Sequence, residues 1–173
     1  MRDVRRVVVI AASAVGFGVL SVPAATTAPS QAPRLAGPPA TIVQYGYVRS
    51  LVRSGNRYRM RFDAALWLSG QTANRAAAED GVIAPGDTVP NDYYIRNESR
   101  KQLTYAVLPG ARVTVVTNSG TSGLRSTRIS VSELAAIVKG GNPNKRELYG
   151  RHLGYWVRIA GDRATSLDQQ YQP

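Results

Sequence analysis

The sequence predicts an α+β, β-rich domain: a small, partly open β-barrel or a curled antiparallel sheet, with two short helices. Three observations support this. Six or seven segments alternate apolar and polar residues, as half-buried strands do. Only two stretches have the spacing and end signals of helices. Clusters of Gly, Pro, Asn, Asp and Ser separate the segments. Among such folds an OB-like barrel is the first expectation, and a double-layer α+β sheet is the second.

The chain begins with the features of a secretory signal. Three arginines within the first six residues precede an uncharged, mainly apolar run at 7–20, and small residues suited to a signal peptidase follow. This run is shorter than the about 20 residues that a membrane-spanning helix needs. We expect a signal peptide at 1–24, a flexible Ala/Pro/Thr-rich linker at 25–40, and a single β-rich domain at 41–173. The alternative is an N-terminal anchor that is not cleaved.

Residues 42–64 predict a long β-hairpin that turns at Ser54-Gly55-Asn56, because Gly and Asn tolerate positive φ. A three-residue loop pairs Arg53 with Arg57. The buried face then holds three cross-strand pairs: Val52–Tyr58, Ser50–Met60 and Val48–Phe62. A two-residue loop would mix charged and apolar residues on both faces. Because a slip of one residue turns every side chain to the other face, the pattern favours the three-residue loop.

The segments after the hairpin alternate between loops and short elements. Leu66-Trp67-Leu68 is expected to leave the sheet as an apolar knot that plugs one barrel end. An Ala-rich helix at 72–80, capped by Thr72 and ended by Gly81, is followed by a Pro/Gly-rich loop and a strand at 92–97. Two more strands, at 102–108 and 112–117, are joined by Pro109-Gly110.

The last part of the domain contains the second helix and a closing hairpin. A Gly/Ser-rich loop covers 118–126. Ser130 and Glu133 have the spacing of a capping box, and the helix that they open has one apolar stripe and ends at Gly140-Gly141. After a loop at 142–154, strands at 155–160 and 163–167 are joined by a Gly161-Asp162 turn.

The charge of the chain favours anionic partners. It has 22 basic and 11 acidic residues, and without residues 1–24 it has 19 basic and 10 acidic residues, a net charge of +9. Such a charge on a small exported domain suits a phosphate-bearing wall polymer or an anionic lipid head group. Nucleic acid fits the charge but not the compartment. The chain has no cysteine, which excludes disulfides, thiolate nucleophiles and Cys-based metal sites.

The sharpest candidate site is an arginine-rich outer face of the first hairpin. The proposed register gathers six residues there: Arg49, Arg53, Arg57, Arg59, Arg61 and Tyr47. It sets Arg49 opposite Arg61 and Arg53 opposite Arg57, and opposed like charges destabilise a sheet. An external anion would offset that repulsion, and guanidinium groups bind phosphate or carboxylate in two-point fashion. The alternative is a solvated face that only prevents edge-to-edge aggregation.

Other candidates for chemistry are weaker. Oxygen ligands for Ca²⁺ occur within one loop, at Glu79, Asp80, Asp87, Asn91 and Asp92, although they are equally typical of helix ends and turns. His152 is the only histidine, so any Ser-His-Asp set must use it, and no G-x-S-x-G motif is present. The tyrosines and tryptophans suit either a carbohydrate groove or cross-strand packing in the core, and their alternating positions favour the core. We expect no cofactor.

Two segments carry a family resemblance. Val89-Pro90-Asn91-Asp92-Tyr93-Tyr94-Ile95-Arg96-Asn97 and Leu167-Asp168-Gln169-Gln170-Tyr171-Gln172-Pro173 resemble recurring phrases in uncharacterised exported proteins and lipoproteins of Gram-positive bacteria. The resemblance spans residues 45–173. It implies export and no particular activity. This chain lacks the lipid-bearing cysteine of the lipoproteins.

Together these features predict a secreted or cell-wall-associated, non-catalytic binding or accessory domain for an anionic envelope ligand. After signal cleavage no transmembrane segment is expected. A protein-interaction or inhibitor domain that uses the loops at 118–126 and 142–154 is the alternative. A hydrolase that uses His152 or loop carboxylates is the third and weakest hypothesis.

Overall fold

The computed structural model describes residues 40–99, 101–118, 120, 123–150 and 152–173, all of which belong to one compact unit. The signal peptide expected at 1–24 and all but the last residue of the expected linker lie outside the described residues.

Seven strands and two helices form the domain. Their bounds are β1 Thr41–Ser54, β2 Arg57–Ser69, α1 Gly70–Glu79, β3 Tyr93–Arg96, β4 Gln102–Asn118, β5 Leu124–Ile129, α2 Val131–Val138, β6 Tyr155–Ala160 and β7 Arg163–Gln169. A short 3-10 turn, Pro90–Asp92, precedes β3.

Five of the strands close into a ring. β1 pairs with β2 and β6, β2 also pairs with β4, and β6 pairs with β7, all antiparallel. β7 then lies parallel to β4 and completes the order β1-β2-β4-β7-β6. The small β-barrel with two short helices is therefore confirmed. The ring is closed rather than partly open, and mixed rather than wholly antiparallel, because β7 returns beside β4.

The barrel interior is one apolar core. Inward positions of all five strands supply fully buried side chains, including Leu51, Met60, Phe62, Val107, Val113, Val157, Ile159 and Leu167. Helix α2 adds Val131, Leu134 and Ile137 to the same core. Its capping box is confirmed: the Ser130 hydroxyl accepts from the Glu133 N–H, and Glu133 accepts from the Ser130 N–H. Burial of this apolar surface holds the fold together without a disulfide.

Several element boundaries differ from those expected. The segment Leu66-Trp67-Leu68 does not plug the barrel, because β2 continues through it and pairs with β3. Helix α1 begins after Ser69 rather than after Thr72, and Ser69 makes no side-chain cap bond. The loop expected at 118–126 is shorter, because Leu124 begins strand β5, which pairs with β4.

Strand β4 is one long strand rather than two strands joined by a turn. Its first half pairs with β2 and its second half with β5. The ladder to β7 is interrupted between these halves: Val107 faces Ala164 and Arg112 faces Ser166, so residues 108–111 stand opposite Thr165 alone. Pro109 lies in this arch and has no N–H to give to a ladder. β4 therefore bends away from β7 there and leaves a gap in the barrel wall.

Candidate functional site

The first hairpin has a two-residue turn and a bulge, so the register expected from its pattern is wrong near the turn. Ser54 pairs with Arg57 across Gly55-Asn56, and Arg53 pairs with Tyr58. The register shifts at Arg49, after which Val48 pairs with Phe62 as expected. Leu51 therefore takes the buried place opposite Met60, and Val52 is 43% exposed on the outer face.

This register removes the expected arginine pairs across the strands. Arg61 faces Ser50 instead of Arg49, and Arg57 faces Ser54 instead of Arg53. The predicted inward positions of Tyr58, Met60 and Phe62 are confirmed, since all three are buried. Arg57, Arg59 and Arg61, at the alternate positions of β2, point outward and are exposed. We call these three residues the arginine row.

The arginine row has neutral neighbours on both sides. Arg59 lies between Val52 of β1 and Ala106 of β4, and Arg61 lies between Ser50 and Thr104. The side chain of Arg61 donates from Nε to Oε1 of Gln102 at 2.8 Å. Within the described part of the chain, no carboxylate forms a salt bridge with a member of the row. Its positive charge therefore faces solvent.

The spacing of the row follows from strand geometry. Alternate residues of a strand are about 6.6–6.8 Å apart, so neighbouring unit charges at that distance repel by about 0.6 kcal/mol in water before salt screening. This cost is small enough for a folded barrel to carry. An anion that touches two neighbouring members of the row would replace this repulsion by two charge-assisted hydrogen bonds.

A cleft of about 290 Å³ adjoins the row at the hairpin tip. It is lined by Arg57 and Arg59, by hydroxyl groups of Ser54 and Thr104, and by Asp162 of the β6–β7 turn. The turn is fixed against β4, because the Ala106 N–H donates to the Asp162 carbonyl oxygen at 3.0 Å. Residues that carry guanidinium, hydroxyl and carboxylate groups thus border one cleft. The sequence argument missed Ser54, Thr104 and Asp162, since only barrel closure brings β4 and the β6–β7 turn beside the hairpin.

Arg49 and Tyr47 belong to a different environment. Nε and Nη2 of Arg49 donate to Oδ2 of Asp63 at 2.9 and 2.5 Å, and the Arg49 guanidinium lies 5.2 Å from the centre of the Tyr47 ring. The Asp63 side chain is only 10% exposed, and its other bond comes from Nδ2 of Asn97. The structure therefore gives Arg49 an internal carboxylate partner and separates it from the arginine row.

Arg53, the remaining member of the expected set, lies at the hairpin tip. It stands opposite the buried Tyr58, so it emerges on the other side of the hairpin from Arg57 and Arg59. Its Nε donates to the Gly55 carbonyl oxygen at 3.4 Å. Of the six residues in the expected anion site, Arg57, Arg59 and Arg61 form the row, Arg49 and Tyr47 lie beside Asp63, and Arg53 is turned to the other face.

The aromatic residues form a second cluster outside the barrel. The Tyr45 ring lies 5.1 Å from those of Trp67 and Trp156, and Trp67 stacks on Tyr93 at 4.4 Å. Burial raises the pKa of Tyr45 above its usual value. The C-terminal tail bonds the polar edges of the cluster: Gln172 donates to the Tyr45 hydroxyl, and Trp156 donates to Gln170. The rings of the cluster thus pack on one another, and Tyr45 and Trp156 also line an adjoining cavity of about 470 Å³.

The acidic residues proposed as weak calcium ligands are dispersed. Arg96 binds both oxygens of Asp80, at 2.9 and 2.8 Å, and bonds Glu79 at 3.0 Å. These bonds from Arg96 hold the pKa of Asp80 below its usual value. Asp87 and Asp92 are exposed at other points of the following loop. Among the residues that the structure describes, no three His, Cys, Asp or Glu side chains are grouped as a metal site would require.

His152 is exposed in the loop before β6. It borders a small cavity of about 50 Å³ together with Tyr47 and Arg49. The described residues that line this cavity include no serine and no carboxylate, so the cavity does not assemble a Ser-His-Asp set.

No helix in the described ranges is long and apolar enough to span a membrane. The family resemblance of the two quoted segments stays a prediction. Compared with protein-family models, with curated proteins and with solved structures, the chain gives no match.

Proposed function

We propose that this protein is a secreted, non-catalytic domain that binds an anionic ligand of the cell envelope through the arginine row. One observation carries the proposal: Arg57, Arg59 and Arg61 line one exposed face of a rigid strand and form no salt bridge with a described carboxylate. In contrast, Arg49, Arg96 and Arg112 each form a salt bridge with an aspartate.

The surroundings of the row suit an anion with several oxygens. The planar guanidinium fork offers paired donors that match phosphate or carboxylate. Ser54 and Thr104 add hydroxyl donors in the adjoining cleft. Because the row stands on the wall of a closed barrel, it loses little conformational freedom of the backbone when a ligand binds.

Retention on a phosphate-bearing matrix tests the proposal. The double variant Arg57→Gln, Arg59→Gln is expected to bind roughly tenfold more weakly at low salt, since each exposed charge contact contributes on the order of 0.7 kcal/mol. The matched control is Arg125→Gln, Arg128→Gln, which removes two exposed charges from β5. Equal weakening of both double variants would show that only net charge matters, and the proposal would be wrong.

A further inference from the structure

The gap in the barrel wall is also a groove. Where β4 arches away from β7, a cavity of about 680 Å³ opens to solvent, within the range of small-molecule sites. Its walls are mainly apolar or without side chains: Leu108, Gly110, Ala111, Ala160, Gly161 and Ala164. Leu108 is 47% exposed at its edge, so an isobutyl group faces water there. We call this cavity the β4–β7 groove.

The groove lies next to the cleft of the arginine row. Asp162 borders both, and Ala106, which faces Arg59, is paired with Arg163 at the start of β7. Leu108 is two residues beyond Ala106 on the same strand and therefore on the same face. A positively charged cleft and an apolar groove thus both lie along β4 and share Asp162 as a border.

We infer that the arginine row and the β4–β7 groove together bind one anionic amphiphile, a phosphate-bearing lipid whose head group contacts Arg57 and Arg59 and whose hydrocarbon chain lies in the groove. This inference rests on the proposed function and gives its ligand a chemical class. A wall polymer would use the charge of the row but would leave the groove unexplained. Only a ligand with charge at one end and hydrocarbon at the other complements both surfaces.

The polar rim of the groove is compatible with this ligand. Thr165 uses its hydroxyl in a bond to the Arg158 carbonyl oxygen at 3.2 Å. The Asp162 carboxylate, which borders both surfaces, lies 3.8 Å from Nε of Arg163 and is partly neutralised by it. Its remaining negative charge should weaken head-group binding, so Asp162→Asn is expected to tighten it by about 2- to 3-fold at low salt.

The test measures the affinity of the folded domain for a series of soluble probes. The head-group probe is glycerol 3-phosphate, and the amphiphiles are its octanoyl, decanoyl and dodecanoyl esters below their critical micelle concentrations. Burial of each added methylene group in the groove should raise affinity by about 2- to 4-fold. The neutral probe is the decanoyl ester of glycerol, which lacks the phosphate.

Two kinds of variant separate the two halves of the site. Gly110→Trp places a bulky ring at the wall of the groove to obstruct it, and an added Cβ at Gly110 has no heavy atom within 4 Å, so the backbone should tolerate a side chain there. Leu108→Asn is a second variant that makes the groove edge polar without adding a charge. Both should abolish the gain from chain length and leave the affinity for glycerol 3-phosphate unchanged. Arg57→Gln, Arg59→Gln should weaken every anionic probe by roughly tenfold, and Arg125→Gln, Arg128→Gln is the control.

The outcomes are distinct. Equal affinity for all chain lengths, or a chain-length gain that persists in both groove variants, overturns the amphiphile inference but leaves the proposed function in place. Equal affinity for the decanoyl ester of glycerol and for the decanoyl ester of glycerol 3-phosphate also overturns the inference, because the arginine row would then contribute nothing to binding. If Arg57→Gln, Arg59→Gln binds every anionic probe as tightly as the wild type does, the proposed function itself is wrong.

Discussion

Replacing Arg49 by methionine is expected to destabilise the domain, whereas the same change at Arg59 is not. Arg49 supplies two of the three hydrogen bonds that Asp63 accepts, and the third comes from Asn97. Oδ1 of Asp63 is buried without a hydrogen-bond partner in the described part of the chain. The variant therefore leaves a nearly buried carboxylate with a single donor.

The size of the effect follows from burial. Removing one partner of a buried charged pair costs about 3–5 kcal/mol, and of an exposed pair about 0–1 kcal/mol. The Asp63 side chain is 10% exposed but that of Arg49 is 50% exposed, which places this pair between the two limits. We expect the free energy of unfolding to fall by about 2 kcal/mol, equivalent to a Tm lower by roughly 6–10 °C for a domain of this size.

Urea denaturation of the domain at neutral pH measures the difference, with Arg59→Met as the matched control. Arg59 forms no salt bridge with a carboxylate of the described residues, so its substitution should change the free energy of unfolding by less than about 0.5 kcal/mol. In the phosphate-binding assay the order should reverse: Arg59→Met weakens binding and Arg49→Met does not. An Arg49→Met variant as stable as Arg59→Met would refute the assignment of Arg49 to the fold.

Two further predictions concern stability. The hydrogen bond from the Ser130 N–H is the main reason why the pKa of Glu133 lies below its usual value of 4.5 in the folded protein. The ionised carboxylate therefore stabilises the fold at any pH above the pKa that Glu133 has in the unfolded chain. This stabilisation is lost as the pH falls through the lower pKa of the folded state. The stability difference between wild type and Glu133→Gln in urea titrations should therefore shrink below about pH 4, and a difference independent of pH would contradict this. Gly46→Ala should lower the free energy of unfolding by about 3 kcal/mol or prevent folding. The added Cβ would lie 2.8 Å from Cζ of Phe62 and 2.9 Å from Cα of Ala64, which is too close. A variant that unfolds thermally at the wild-type temperature would contradict this prediction.

Sequence periodicity was enough to predict the barrel because most strands bury one face. Tyr58, Met60 and Phe62 alternate with arginines, and this alternation alone places the arginine row outside. The capping box of α2 is likewise a local signal that needs no tertiary context. These features depend on residues close together in the chain.

The hairpin register could not be fixed in the same way. A bulge inserts one residue at Arg49, between Val48 and Ser50, and the exposed Val52 continues the alternation from Val48, so the apolar pattern shows no interruption. The sign of the bulge is Leu51, which is buried although it lies three residues after the inward-facing Val48. In a regular strand, residues three apart point to opposite faces. For this reason Arg53 was assigned to the wrong face, and Arg49 was placed opposite Arg61 rather than beside Asp63.

Tertiary closure decided the remaining differences. Pro109-Gly110 has the residues of a turn, yet β4 continues because β2 and β5 bind its two halves. Strand β5 is polar at most positions, and its pairing with β4 rather than its own composition makes it a strand. The β4–β7 groove lies between two strands that are about 60 residues apart in the chain, so no local sequence pattern predicts it.

The ring joins the two ends of the domain: Thr41 pairs with Ala160, and β7, the last strand of the chain, completes the wall beside β4. Pairings so distant in sequence form slowly, because a long loop must close before they contribute any stability. A chain cut short before residue 155 would retain the first hairpin but would leave β1 and β4 with bare backbone edges. Such edges recruit strands from neighbouring molecules, so truncation should convert this domain from a closed barrel into an aggregating fragment rather than a loosened version of itself.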